Sequence, residues 1–406
     1  MNTTTTFSEC EGGVTAALGF RAAGVLCGIR KQKKDLALVQ SDRVAAASAV
    51  FTQNAVKAAP VVVAMSQLSR SPWCSAILVN SGNANACTGA RGLADAWTMV
   101  RQAAQAFGLP EEEILISSTG VIGQYLPMDK ISAGIEQIGL LAGSEGHRDA
   151  AEAIMTTDTY PKEVAVRLLL GGSTVTIGGM AKGSGMIAPN MATMLAFLTT
   201  DADITPELLD ETFKSANERS FNRITVDGDM STNDMAVILA NGCAGNEPIG
   251  RASEDYERFC AALEYVLITL AKMIVRDGEG ATKLVEVRVT GADSETEALQ
   301  AARAIAGSNL VKTAIHGADA NWGRVMAALG YSGIPVKGEE VEIAFNGLPV
   351  LGKNYSIVLD EAKAKQELMK ATVVLSVNLN GGASAATVWT CDLTKDYIHI
   401  NASYRS

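Results

Sequence analysis

Histidine and aromatic side chains are scarce in this 406-residue chain, with three histidines and 5% Phe, Trp and Tyr. His147, His316 and His399 stand far apart in the sequence without metal-ligand spacing, and no G-x-S-x-G elbow occurs, so a histidine-activated serine is not expected. There is no block of five or six Lys or Arg. The 34 basic and 44 acidic residues give a net charge of −10, which argues against a nucleic-acid partner. The longest apolar runs, such as Tyr265 to Val275 with Lys272 inside, fall short of the ~20 residues that a membrane span needs, so no membrane segment is expected. The seven cysteines are odd in number, scattered and never in a C-x-x-C pair, which excludes a disulfide framework and a structural zinc site. They read as small buried hydrophobes. The opening MNTTTTFSEC has neither a basic patch nor an apolar stretch before a small-residue cleavage site, so the cytoplasm is the expected compartment. No metal and no cofactor is implied.

What the chain does have is length, apolar content and glycine. Its 48% hydrophobic residues supply a sizeable core, and the length suggests two or three domains. Strand-like runs recur at Leu36–Gln40, Ala76–Asn80, Ile114–Ser118, Ser173–Ile177, Met194–Leu198, Ala236–Ala240, Leu284–Val289, Val341–Phe345 and Thr372–Val377. Helical patterns lie between them. In Ser253–Arg276, Tyr256, Phe259, Cys260, Leu263, Leu267, Leu270 and Ile274 form one apolar stripe, with Ser253 as N-cap. A capping box at Ser294-Glu295-Thr296-Glu297 opens a helix that ends before Gly307. Another starts at Thr205 with Pro206 in the first helical position, and Leu93–Phe107 gives a fourth. Interspersed strands and helices indicate an α/β or closely mixed α+β protein. No low-complexity linker marks a boundary, although the Gly-rich stretch Gly178–Gly185 falls near the midpoint.

Short motifs fail on inspection. Gly183-Ser184-Gly185-Met186-Ile187-Ala188 fits a loose dinucleotide fingerprint, but Pro189 blocks the helix that would receive a pyrophosphate. Asp227-Gly228-Asp229-Met230-Ser231 opens like a calcium loop, yet Thr232 replaces the glycine and Ile238 the bidentate glutamate. Polar clusters remain at Asn80–Asn85, Ser117–Gly120, Thr156–Thr159 and Lys182–Thr193, several of them adjoining a predicted strand, where active-site loops commonly sit.

The run from Gly178 to Leu195, GGMAKGSGMIAPNMATML, resembles the self-cleaving segment of the ornithine acetyltransferase (glutamate N-acetyltransferase) family of arginine biosynthesis. The resemblance extends to Asn80–Asn85, Ser118–Gly123, Met155–Thr159, Asp227–Asp234, His316–Arg324 and Asn401–Tyr404, and so covers essentially the whole chain. It implies mixed sheets packed with helices in that family's sandwich-like architecture. It further implies self-cleavage between Ala192 and Thr193, giving an α chain, 1–192, and a β chain, 193–406, that stay together as an α2β2 heterotetramer.

By the same resemblance Thr193 is the nucleophile. Once it is a chain start it carries a hydroxyl and an α-amino group of reference pKa ~7.7, so it can act as its own base, which accounts for the missing histidines. Backbone strain at Pro189-Asn190 would favour the initial attack on the Ala192 carbonyl. Thr119 and Gly120 are implied to stabilise the oxyanion, and Thr156, Lys182, Thr193, Glu279, Asn401 and Ser406 to contact substrate. Residue types fit: Lys182 can pair with a carboxylate and Glu279 with an ammonium. The implied reaction passes acetyl from N-acetylornithine to glutamate in a ping-pong cycle. Alternatives are a bifunctional version that also takes acetyl-CoA, an N-terminal-nucleophile amidase or aminopeptidase, and a non-catalytic binding protein.

Overall fold

The computed structural model describes residues 7–188 and 194–403. Nine strands form one mixed sheet: β1 (Phe7–Cys10), β2 (Phe20–Val25), β3 (Leu36–Phe51), β4 (Trp73–Asn83), β5 (Ile114–Val121), β6 (Lys162–Leu170), β7 (Ser173–Lys182), β8 (Leu195–Thr200) and β9 (Met235–Ala240). Its order is β1-β6-β7-β8-β9-β3-β4-β5, with β2 also paired to β3. The β4–β5 and β8–β9 pairs are parallel and the others antiparallel.

The predicted strand Leu36–Gln40 is the first part of the sixteen-residue β3. Its register against β4 shifts between Gln40 and Ala45, where Asp42, Arg43 and Val44 turn to solvent. Strand β3 pairs with β2 before this irregularity, with β9 after it and with β4 on both sides, so the sheet folds over on itself there. Phe197, Val237 and Leu239 then share an inner core with Val39, Ile77 and Val79. Outside one half, the helices Pro206–Glu218 and Glu254–Arg276 pack on β6 to β9, and outside the other the helices Gly89–Phe107 and Met128–Leu141 pack on β3 to β5. The result is a helix–sheet–sheet–helix sandwich, in line with the α/β reading and with the sandwich that the family resemblance implied. Strands β8 and β9 are buried on both faces, which explains the apolar LAFL that opens β8 and the unbroken MAVILA of β9.

A second sheet holds β10 (Leu284–Ala292), β11 (Glu342–Phe345), β12 (Leu348–Gly352), β13 (Ser356–Ile357), β14 (Thr372–Asn378) and β15 (Ser384–Cys391) in the order β13-β12-β11-β14-β10-β15. It has its own hydrophobic core with the helices Glu295–Ala306, Asn309–His316 and Trp322–Gly330. Leu284, Trp389 and Cys391 of this sheet join the core of the helix Glu254–Arg276, while Ser173–Lys182 near the midpoint is an interior strand.

Three helix starts agree with their capping signals: Ser253, Ser294 and Thr205 each accept a backbone N–H, from Tyr256, Glu297 and Leu208. The helix predicted from Leu93 begins a turn earlier at Gly89, a turn whose Gly89 and Gly92 depress helix propensity. The cysteine expectation holds in part. Cys74 and Cys391 are buried, Cys87 is exposed, and Cys10, Cys27, Cys243 and Cys260 are intermediate because they sit at element edges and on a helix flank. No helix among the described residues is long and apolar enough to cross a membrane.

Candidate active site

Parallel pairing of β4 with β5 sets Ser81 opposite Thr119 and Gly82 opposite Gly120 at the ends of both strands. The chains approach there so closely that a Cβ on Gly120 would lie 2.3 Å from the Gly82 carbonyl carbon and 2.5 Å from the Asn83 nitrogen, and Gly120 has φ 133°. Only glycine fits. Asn233 pins the same corner by donating from Nδ2 to the carbonyls of Ala84 at 2.7 Å and Ser118 at 2.8 Å. Thr119 is thus held at the mouth of a pocket that Gly120, Thr156, Lys182, Gly185, Ser231, Asn233, Glu279 and Asn401 also line.

These residues come from distant parts of the chain, and buried ion pairs tie them together. Lys162, fully buried, bonds Asp158 at 2.7 Å and Asp277 at 2.6 Å. Asp158 in turn accepts the N–H of Thr156 at 2.9 Å and of Gly183 at 2.7 Å, and Asp277 accepts the N–H of Thr159 at 3.0 Å. Ser184 donates to the Asp277 carbonyl at 2.6 Å. One lysine and two carboxylates therefore lock the segments bearing Thr156, Lys182 and Glu279. Burial opposes the charge on Asp158, but the ammoniums of Lys162 and Lys182 hold its carboxyl below the usual range. Lys162→Met should lower stability by about 3–5 kcal/mol, because it strands two buried carboxylates, and urea unfolding will measure the loss.

Lys182 ends β7, buried, with its ammonium 3.5 Å from the Thr156 hydroxyl. Burial pushes its pKa down, against the upward pull of Asp158 and Asp234. Binding a carboxylate requires the charged form, which is lost as pH rises through this lowered pKa. The KM of a carboxylate substrate should therefore begin to rise below the ordinary lysine value of ~10.4, and a KM that stays flat up to that value would contradict the assignment.

Glu279 is buried as well, although its place just past the long helix suggested a solvated loop charge. Its N–H donates to the Ser184 carbonyl at 3.0 Å and its Oε2 accepts from Asn401 Nδ2 at 2.8 Å. The carboxylate stacks on Gly185, where a Cβ would stand 2.3 Å from Oε2. A lysine and a carboxylate thus face one small polar pocket beside a glycine-lined strand corner.

Six of the predicted site residues, Thr119, Gly120, Thr156, Lys182, Glu279 and Asn401, meet in this pocket. Ala192, Thr193, Ser406 and the Pro189-Asn190 pair lie outside the described residues. The described chain resumes at Met194, whose neighbour Leu195 pairs with Lys182, so residue 193 is two positions from a register partner of the pocket lysine. Sequence reasoning missed Asp158, Lys162, Asp277 and Asp234. Asp158 and Asp234 stand inside blocks already singled out, whereas nothing local marks Lys162 or Asp277 as partners 115 positions apart.

A larger groove of about 870 Å³ runs between the helices Ala59–Arg70 and Pro206–Glu218 along the second part of β3. It contains none of the predicted residues, and the buried charges converge on the smaller pocket.

A sandwich with strand ends, buried counter-charges and a glycine-shaped corner gathered around one polar pocket defines an enzyme-type site. Residues 21–406 match the ArgJ family, and the chain belongs to it. It is 54% identical over 398 residues to the arginine biosynthesis bifunctional protein ArgJ of Symbiobacterium thermophilum, covering 97% of this chain and 99% of that protein. It is 49% identical over 400 residues to the protein of the same name from Caldanaerobacter subterraneus subsp. tengcongensis, covering 98% and 99%. Among solved structures it is similar to the ornithine acetyltransferase of Mycobacterium tuberculosis, complexed with ornithine, at 42% identity with a TM-score of 0.42, covering 45% of this chain and 98% of that one.

Proposed function

We propose that this chain is a glutamate N-acetyltransferase that moves the acetyl group of N-acetylornithine to glutamate through an acetyl-Thr193 intermediate. The observation that carries the reading is the meeting of Thr119, Gly120, Thr156, Lys182, Glu279 and Asn401 in one pocket next to the strand that starts two residues after Thr193.

In this reading the chain breaks between Ala192 and Thr193, and the products, 1–192 and 193–406, stay associated as an α2β2 heterotetramer in the cytoplasm. The new α-amino group of Thr193 takes the proton of its own hydroxyl, and the oxygen attacks the acetyl carbonyl of N-acetylornithine. Lys182 holds the donor's carboxylate, with the Thr156 hydroxyl beside it, and Glu279, oriented by Asn401, receives the side-chain ammonium. Negative charge gathers on the acetyl oxygen in the tetrahedral state, where Thr119 and the Gly120 backbone N–H stabilise it. Ornithine leaves with the proton from the Thr193 amine. Glutamate then enters, its amine collects the acetyl group, and Thr193 is regenerated. By the family resemblance Ser406 is a further substrate contact.

The name of the curated relatives, a bifunctional protein, favours a second donor, acetyl-CoA, acting through the same acetylated threonine. One experiment tests both donors: purified enzyme receives N-acetylornithine or acetyl-CoA, each with and without glutamate. N-acetylglutamate should form from N-acetylornithine only when glutamate is present, and should form from acetyl-CoA as well if the enzyme is bifunctional. Release of free acetate at a rate indifferent to glutamate would instead indicate an amidase.

A further inference from the structure

The segment between β2 and β3 contains Arg30-Lys31-Gln32-Lys33-Lys34, four cations in five positions of a chain whose net charge is −10. A buried carboxylate sets its shape: Asp35 accepts the N–H groups of Cys27 at 2.6 Å, Gly28 at 3.1 Å and Arg30 at 2.7 Å. Lys130, on the helix Met128–Leu141, adds a further cation by donating to the Gly28 carbonyl at 2.7 Å. Half-buried Arg30 joins this loop to the pocket. Its Nη1 donates to the Met155 carbonyl at 2.7 Å and its Nη2 to the Thr156 carbonyl at 3.4 Å. A Cβ on Gly82, the residue opposite Gly120, would stand 2.9 Å from the Arg30 Cγ. Most of these charges are unspent. Lys34 is paired with Asp149 and Glu152, but Arg30, Lys31, Lys33 and Lys130 make no ion pair among the described residues, and Lys31 and Lys33 are exposed.

A group of free cations on an acidic protein, rooted against two residues at the pocket, suits a substrate with a polyanionic tail whose other end enters that pocket. N-acetylornithine and glutamate have no such tail. Acetyl-CoA has one: a diphosphate and a phosphomonoester, separated from its thioester by a long flexible arm. Resting on the reading that acetyl-CoA is a second acetyl donor, we propose that the loop 28–34 together with Lys130 is the docking site for its phosphates. Arg30, Lys31, Lys33 and Lys130 pair with the phosphate oxygens, and the thioester end lies in the pocket beside Thr119, Gly120 and Thr156. Asp35 holds the loop in shape before the donor arrives, so little ordering is lost on binding. N-acetylornithine and glutamate reach the pocket without engaging these cations, so the loop serves one donor only.

The test measures N-acetylglutamate formation by purified enzyme from three donors: acetyl-CoA, N-acetylornithine, and acetyl-N-acetylcysteamine, which keeps the thioester but has no phosphate. In the parent, KM for acetyl-CoA should lie well below that for acetyl-N-acetylcysteamine and should rise with salt, which screens exposed charges. The double variant Lys31→Glu/Lys33→Glu reverses two exposed charges, so the fold is not at stake. It should raise KM for acetyl-CoA about 10-fold with kcat unchanged, and leave KM for the other two donors within about 2-fold of the parent. Arg30 is left intact in this test because its guanidinium also holds the Met155 and Thr156 carbonyls. Lys363→Glu/Lys365→Glu makes the same charge change on the helix Glu361–Leu368 and should leave all three donors unaffected. An unchanged KM for acetyl-CoA in the loop variant overturns the inference, as does an equal rise for the phosphate-free thioester or an equal rise in the Lys363→Glu/Lys365→Glu variant. A parent that turns over N-acetylornithine but not acetyl-CoA also overturns it and leaves transfer from N-acetylornithine standing, whereas a parent that turns over neither removes both.

Discussion

Thr193→Ala is expected to accumulate as one unbroken 406-residue chain with no acetyl transfer. The substitution removes the oxygen that attacks the Ala192 carbonyl, so no chain start forms, and it removes the oxygen that would carry acetyl. In the proposed mechanism one atom performs both steps, so both activities should be lost together. Among the described residues, the segments around the pocket are held by Lys162, Asp158 and Asp277, Met186 and Ile187 by Asp227, and Met194 by Asp234. The variant should therefore keep the parent's circular dichroism and urea midpoint, and gel electrophoresis beside a transfer assay will read the two losses. A variant that stays whole yet transfers acetyl would separate cleavage from catalysis.

Gly120→Ala should lower kcat by about 100-fold or more while the protein remains folded. The added Cβ meets backbone, the Gly82 carbonyl carbon at 2.3 Å and its Cα at 2.7 Å, so no side-chain rotation relieves it. The φ of 133° adds strain. Either the end of β5 moves away from β4 or the Gly120 N–H turns out of line, and in the proposed mechanism both withdraw a donor from the developing oxyanion; a lost donor of this kind costs about 10²–10³ in rate. Lys182 and Glu279 sit on other segments, so KM for N-acetylornithine should change much less than kcat. An equal rise in KM with unchanged kcat would place Gly120 in ground-state binding instead.

The sequence and the structure agree best where the signal is local. Ser253, Thr205 and Ser294 are capping residues whose mechanism acts within a turn, and each caps the helix it was expected to cap. The apolar runs of β8 and β9 are legible because both faces are buried. Strand β6 was missed, and its KEVAVRLLL opens on Lys162, a charge that reads as surface until its partners Asp158 and Asp277 are seen beside it. The length of β3 was missed because the exposed Asp42-Arg43 step that bends the sheet looks like a strand end.

The site divides in the same way. Thr119, Gly120, Thr156, Lys182, Glu279 and Asn401 were named from family resemblance, and spacing alone would not have joined residues scattered from 119 to 401. Their burial was not legible: Lys182 reads as a solvated strand end and Glu279 as a loop charge, and only the packing of β7 and the Gly185 cradle shows both withdrawn from water. Asp234 was in view within Asp227–Asp234, but its significance lies in a bond to Met194 forty positions away.

The most direct test of the account is to incubate purified enzyme with acetyl-labelled N-acetylornithine in the absence of glutamate, and to map the label by peptide mass spectrometry. The account expects a β chain that begins at Thr193 and carries the acetyl group on that residue, with the label discharged to N-acetylglutamate when glutamate is added. Turnover by a chain still joined between Ala192 and Thr193, or a label carried on any other residue, would contradict it.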